Sequence, residues 1–272
     1  MLSVQMKPKS SIHSAKYIRS HWKLLWRISK SELKSRYAGF IFGAGWAVIF
    51  PILMISIYCL VYLVIFRVRI PNMSSVQYVL FIFSGLIPFL MTSEALGNGV
   101  GSIVANSAVL SNTVFPIDLV PVKAVLLSQF TMAVGMTVIL AGSAIFHVLS
   151  WTALLLPAVW LLQVLALIGI LWILSLLNLV VRDLQNLISL IILILMVASP
   201  IAYTPEMVPS SLKVLILLNP LAYFVLAYQQ ILVLGKLPRW WDCLAMFVSA
   251  LGLFTVGGYF FGRAKQVMVD YV

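Results

Sequence analysis

Few side chains in this sequence can move a proton, hold a metal ion or attack a bond. Seven Asp and Glu, three His and two Cys are spread through 272 residues. No His-x-x-x-His pair, paired carboxylates or Ser-His-Asp arrangement stands out, so enzymatic chemistry finds no seat. His13 and His21 lie in a basic N-terminal segment and His147 at the end of an apolar run; each reads as an interfacial residue rather than a ligand. Cys59 and Cys243 sit in apolar surroundings without metal-ligand spacing and read as two buried thiols. Gly235-Lys236 lacks the upstream glycine and the following Ser/Thr of a nucleotide-cradling loop. The expectation is a chain with no catalytic residue, no metal and no cofactor of its own. Glu94 is the one acid inside an apolar run, close to its end. A proton relay and a plain hydrogen bond at the membrane interface are both open readings of it.

Aromatic residues form the other pattern. Trp46, Phe50, Met54, Tyr58, Tyr62 and Phe66 recur at every fourth residue, and such a row makes one slowly winding ridge along a helix. Aromatic faces stack on the apolar faces of sugar rings and Tyr hydroxyls add hydrogen bonds, so the lining of a sugar-conducting pore is one reading. Helix packing with an interfacial aromatic belt is the other. Ser199-Pro200 breaks a second apolar helix, where backbone groups can be left facing a cavity. The candidate channel lining is therefore Trp46, Phe50, Tyr58, Tyr62, Phe66, Ser199 and Tyr203. Trp160 and Trp172, by contrast, are expected to face lipid or neighbouring helices.

These residues have to be positioned by membrane helices. The chain is 62% hydrophobic and 9% charged, where a soluble domain carries about 25% charged residues. Its apolar runs are long enough to cross a hydrocarbon core of about 30 Å, and lipid demands helices there. The alternation of a transmembrane barrel is absent. The fold class is an all-α integral membrane protein with spans at about 44–66, 78–96, 124–146, 154–180, 184–202 and 243–261. A polar stretch, 97–116, follows the second span. Between the fifth and sixth, Asn219-Pro220 interrupts the apolar sequence; Asn suits an N-cap and Pro the first helical position. Short re-entrant or periplasmic helices that do not cross are expected there. With six spans both termini face the cytoplasm, in line with the basic N-terminus and with Arg263 and Lys265 after the last span.

The net charge of +11 is concentrated rather than spread, since nine of eighteen Lys and Arg lie between Lys7 and Arg36. That distribution argues for an anchor on anionic lipid and against nucleic acid. Residues 17–37 read as an amphipathic interface helix. Ile18, Trp22, Leu25, Trp26 and Leu33 share one face, and Lys16, Arg19, Lys23, Arg27, Lys30 and Lys34 the opposite one. The N-terminal segment lacks the apolar core and cleavage site of a signal peptide. There is no repeat and no separate soluble domain: residues 1–272 form one membrane domain, with 1–37 its cytoplasmic N-terminal part and 38–272 the membrane part.

Several phrases occur together over nearly the whole chain. They are Glu32-Leu33-Lys34-Ser35-Arg36-Tyr37 with Gly43, Trp46 and Pro51; Ser84-Gly85-Leu86-Ile87-Pro88 with Ser93-Glu94; Val114-Phe115-Pro116 with Asp118 and Pro121; Arg182-Asp183; and Ser199-Pro200-Ile201-Ala202-Tyr203 with Pro209 and Asn219-Pro220-Leu221. In this order they resemble the permeases of ABC-2 type polysaccharide exporters, the Wzm/KpsM-like family that serves O-antigen, capsule and teichoic acid export. Two departures stand out. Phe89-Leu90 follows Ile87-Pro88, and Ser111-Asn112-Thr113, without a basic residue, precedes Val114-Phe115-Pro116.

The resemblance implies the transmembrane subunit of an ATP-driven exporter of lipid-linked polysaccharide in the bacterial cytoplasmic membrane. It implies a homodimer paired with separate nucleotide-binding ATPase subunits, which would bind the ATP and Mg. It makes the segment around 102–112 the coupling element that docks in the ATPase, through Ser102, Asn106, Val109, Leu110 and Asn112. It places Trp22, Trp26, Lys34, Arg36 and Tyr37 at the cytoplasmic interface. Pro209, Asn219 and Pro220 fall in a pair of short helices, 205–234, at the periplasmic exit. An exporter of a drug or lipo-oligosaccharide is the nearest alternative. An ion-coupled secondary transporter is the more distant one, disfavoured by nearly charge-free spans.

Overall fold

The computed structural model describes residues 20–36, 41–68, 73–107 and 116–268. Ten α-helices are described, and no strand occurs among the described residues. They are α1 (Trp22–Arg36), α2 (Trp46–Cys59), α3 (Ser75–Val100), α4 (Ser102–Ala105), α5 (Leu119–Ile145), α6 (Leu156–Val180), α7 (Leu184–Ala198), α8 (Lys213–Leu218), α9 (Pro220–Gln229) and α10 (Trp240–Met268). A π-helical segment, Leu60–Ile65, prolongs α2 and another, Gln230–Leu234, prolongs α9. Among the described residues five helices are long and apolar enough to cross a membrane, or six if the bent pair Ser210–Leu218 and Pro220–Leu234 makes one span. α7 has 15 residues, about 22 Å of helix, and stops at Ser199-Pro200.

α3 is the axis of the bundle, in contact with α2, α5, α6, α7 and α9. Its start is fixed by a capping box: the Ser74 hydroxyl accepts from the Gln77 amide at 3.2 Å, and the Gln77 side chain accepts from the Ser74 amide at 3.1 Å. Its end lies beyond the expected span, at Val100. Gly97 and Gly99 do not stop the helix; Gly97 has open space around it, while a methyl on Gly99 would press into Leu171 of α6. The polar stretch 97–116 is thus helical at its start, with α4 following after Gly101.

α6 and α10 make the most intimate pair. A methyl at Gly169 would overlap the Leu253–Phe254 backbone, and one at Gly257 would overlap the Gly169 carbonyl. The two backbones therefore touch through glycine, as small residues allow between membrane helices. Trp172 closes this seam, its ring centroid 5.3 Å from Phe254 and 6.3 Å from Phe261 and its indole N–H donating to the Asp118 carbonyl at 3.0 Å. Trp160 donates to the Gln129 side chain at 2.6 Å. Both tryptophans face neighbouring helices.

The break at Asn219-Pro220 is where the sequence puts it. α8 and the α9 segment meet at 96°. Asn219 caps α9, its side-chain oxygen accepting from the Leu221 amide at 3.0 Å, with Pro220 at the first helical position.

Two expectations change, those for the cysteines and for the break after α7. Cys243 is exposed and Cys59 only partly buried, both as free thiols; apolar neighbours in a membrane chain do not imply an inward side chain, since lipid is apolar too. Only part of the apolar face of α1 turns inward. Leu25 is fully buried and Ser29 nearly so, whereas Trp22 and Trp26 stack on each other at 6.3 Å and stay exposed. The backbone carbonyls freed after α7 are not left facing a cavity, as set out below.

Candidate functional site

Polar side chains inside the bundle gather in two places. The first is a neutral network at mid-bundle. Pro88 leaves α3 one amide short, and its own carbonyl accepts from Gln163 of α6 at 3.1 Å. The same Gln163 amide donates to Thr92 at 2.9 Å, while its oxygen accepts from Tyr228 of α9 at 2.9 Å. Nearer the α8–α9 end, the broken end of α7 is sealed. Gln229 donates to the Pro200 and Ile201 carbonyls at 2.9 and 3.0 Å, Tyr78 to the Ala202 carbonyl at 2.6 Å, and Asn219 to the Ser199 hydroxyl at 2.9 Å. Unpaired carbonyls are costly in lipid, so side chains of α3 and α9 close them. Ser199 is consequently buried at 1% exposure.

The second place is charged and lies at the opposite end, where α1, α4 and α5 meet. Lys123, in the first turns of α5, reaches Glu32 of α1 at 2.7 Å, with side-chain exposures of 9% and 44%. Its ammonium also donates to the Asn106 oxygen at 3.3 Å, and Asn106 donates back to the Ser102 carbonyl at 2.7 Å. A cavity of about 400 Å³ opens here, lined by Glu32, Asn98, Ser102, Asn106, Lys123 and Leu127 among others. A lysine near a helix N-terminus opposes the helix dipole and, once buried, requires a counter-charge; Glu32 supplies it. Glu94, farther along α3, accepts from Thr131 of α5 at 2.6 Å.

The aromatic ridge of α2 is real as geometry. Tyr58 and Tyr62 stack at 5.9 Å, Tyr62 meets Phe66 edge-on at 5.9 Å, and Trp46 meets Phe42 edge-on at 5.8 Å. Tyr58 and Tyr62 pack partly on the core, while Trp46, Phe50 and Phe66 are exposed. Tyr203 donates to the Val197 carbonyl at 3.0 Å. The structure thus shows Tyr58, Tyr62 and Phe66 in successive ring contact, with Ser199 buried. Pro209 is exposed in the turn before α8. In the same stretch a hydrogen bond from its own backbone amide, the Thr204 hydroxyl and the Arg239 and Lys213 charges hold the Glu206 carboxyl below the usual carboxylate range, against partial burial.

Ser102 and Asn106 fall in the charged junction, with Ser102 buried. Lys34 and Arg36 belong to α1. Tyr37, Val109, Leu110 and Asn112 lie outside the described residues. The residues that sequence reasoning missed are Lys123, Gln163 and Gln229. Their signal is a lone polar side chain within or beside an apolar run.

Comparison with known proteins gives a consistent picture. No family model matches the chain. It is similar to the O-antigen export system permease protein RfbA of Klebsiella pneumoniae, 31% identical over 245 residues, covering 89% of this chain and 92% of that protein. The protein of the same name from Myxococcus xanthus is 28% identical over 248 residues, covering 89% and 93%. The polysialic acid transport protein KpsM of Escherichia coli is 25% identical over 238 residues, covering 86% and 88%.

Proposed function

The chain belongs to the family of O-antigen export permeases, and from that premise we propose that it is the membrane-spanning subunit of an ATP-driven ABC exporter of lipid-linked polysaccharide. The observation that carries this reading is the reach of the similarity. It runs over 89% of the chain, not over one motif, and takes in relatives named for two different polymers. The class common to both is a polysaccharide.

The remaining parts of the reading rest on the resemblance and on physical argument. The sequence shows no phosphate-cradling loop, in line with a separate ATPase chain that binds the ATP and Mg and that the resemblance docks on the segment around 102–112. Six apolar helices are too few to enclose a polymer. Two copies about an axis normal to the membrane, with the channel between them, solve this. The flanks of α2 and α7 support that arrangement, since Phe50, Leu60, Val64 and Phe66 on one and Leu190, Ile194 and Val197 on the other are exposed. Tyr58 and Tyr62 would then line the passage for sugar rings. The α1 end, with its Lys and Arg, faces the cytoplasm of a bacterial cell, and both termini with it.

The test is reconstitution. The chain and its cognate ATPase in proteoliposomes are expected to move polymer only with ATP, and the purified chain alone to hydrolyse none. Hydrolysis by the chain alone, or export driven by a proton gradient without the ATPase, would overturn the assignment.

A further inference from the structure

Lys123 joins three elements that otherwise share little. α1 packs mainly on α5, and Glu32–Lys123 is the ion pair that ties them. α4 reaches the same ammonium through Asn106. Asn106 in turn is fixed to its own segment through the Ser102 carbonyl, and the Ser102 hydroxyl is fixed to the Gly99 carbonyl of α3 at 2.7 Å. Any displacement of the α4 segment therefore pulls on a charge that α1 and α5 hold in common. The site is also asymmetric in freedom. Lys123 is almost wholly enclosed, Glu32 is half exposed, and a cavity of about 400 Å³ lies among α1, α3, α4 and α5 beside the pair. A close-packed core resists small shifts; a polar joint beside a cavity yields to them.

We propose that Lys123 is a positioning residue that passes movement of the Ser102–Asn106 segment to the interface helix α1 and the span α5, so that partner motion reaches the membrane helices as one unit. The inference rests on the exporter reading, in which an ATPase docks on that segment. Lys123 touches neither nucleotide nor polymer in this scheme; it acts through Asn106 and Glu32.

The experiment uses the full permease–ATPase complex in proteoliposomes and reads ATP hydrolysis and polymer export separately. Lys123→Met and Glu32→Gln are each expected to lower polymer moved per ATP about tenfold, a usual size for coupling between sites, while hydrolysis stays within about twofold of wild type. Lys123→Arg should keep the coupling. Glu32→Lys combined with Lys123→Glu should recover about half of it, because the pair is restored with its sense reversed. A merely structural lysine would instead lower complex yield and hydrolysis together, with no rescue by the swap. Should Lys123→Met fail to insert, the half-exposed Glu32→Gln and the swap still decide. Single variants that match wild type per ATP, or a swap no better than either single change, overturn the proposal. A wild-type complex without ATP-dependent export is a different failure, that of the exporter reading itself.

Discussion

α2 and α3 are neighbours in the bundle with opposite surroundings. Val48–Ile65 has a mean hydropathy of 2.7 and is 6% buried; the most apolar 18 residues within Ser75–Val100 have 1.8 and are 78% buried. In water this order would be perverse, because apolar area is what burial rewards. Lipid tails are as apolar as leucine, so a leucine or valine gains little by turning inward. What gains is a group that lets backbones approach or that needs a hydrogen-bond partner. Ser84, Gly85, Thr92 and Gly99 accordingly sit among the buried residues of α3, alongside Phe81 and Ile82, while Val64, Ile65 and Phe66 of α2 are more than half exposed. The buried span thus carries small and hydrogen-bonding residues beside its large apolar ones, and the exposed span is free to meet a partner.

The contrast would break most visibly at the glycine seam. Gly169→Leu is expected to cost about 3 kcal/mol or more through overpacking, read as loss of monodisperse protein and a lowered Tm in detergent. Gly262, with no heavy atom within 4 Å of its added methyl, serves as the control, and Gly262→Leu should stay within about 0.5 kcal/mol of wild type. Equal stability of the two would mean that small residues do not hold this bundle.

Gln163→Leu makes the span more apolar yet strands the Tyr228 hydroxyl. The expected loss is about 1–2 kcal/mol. Adding Tyr228→Phe should cost less than the sum of the two single changes, because they share one bond. Full additivity in thermal melts would remove that bond from the account.

Tyr58→Ala with Tyr62→Ala addresses the exposed partner in the comparison. Stability should fall by about 1 kcal/mol or less, while export through the ATPase complex drops and the complex persists. The matched control is Leu161→Ala, on an exposed position of α6. Trp160 and Trp172 are unsuitable as controls, since each is hydrogen-bonded to a neighbouring helix. Export lost with Leu161→Ala but kept with the Tyr pair would reduce the ridge to packing.

The smallest effect is expected from Leu60→Ala or Val64→Ala, within about 0.5 kcal/mol for the single chain. A larger shift in Tm would show that α2 is held by more than this subunit's own contacts.

Much of the architecture could be read from sequence because lipid restricts the choices. Apolar runs must be helices, and the Asn219-Pro220 break carries its own capping chemistry. The inward faces could not be read the same way. Hydropathy ranks lipid against water, not lipid against protein, so Cys243 was misjudged and α2 looked no different from a core helix. The glutamines were invisible for a related reason: one amide in an apolar run has no spacing pattern, and its partners, such as Pro88 and Tyr228, are 75 and 65 residues away. Lys123 fell just outside the expected third span, whose helix begins at Leu119. Ser199 was legible as a helix break but not as a sealed one, because sealing depends on Gln229 arriving from α9.

The π-helical turn of α2 bears on the row of aromatic rings. An α-helix turns about 100° per residue, so each step of four residues overshoots a full circle by about 40°. From Trp46 to Tyr58 that drift would carry the row about a third of the way round the cylinder. Leu60–Ile65 is wound wider, with about 4.4 residues per turn, so the same step falls short by about 30°. The second half of the row thus unwinds part of what the first half wound. Tyr58, Tyr62 and Phe66 stay in successive contact at 5.9 Å as a nearly straight rail rather than a spiral stair. Deleting a single residue from the wide turn would restore the ordinary pitch yet leave Phe66 facing nearly the same way, because six residues at about 82° turn the chain about as far as five at about 100°; only the rings inside the turn would shift.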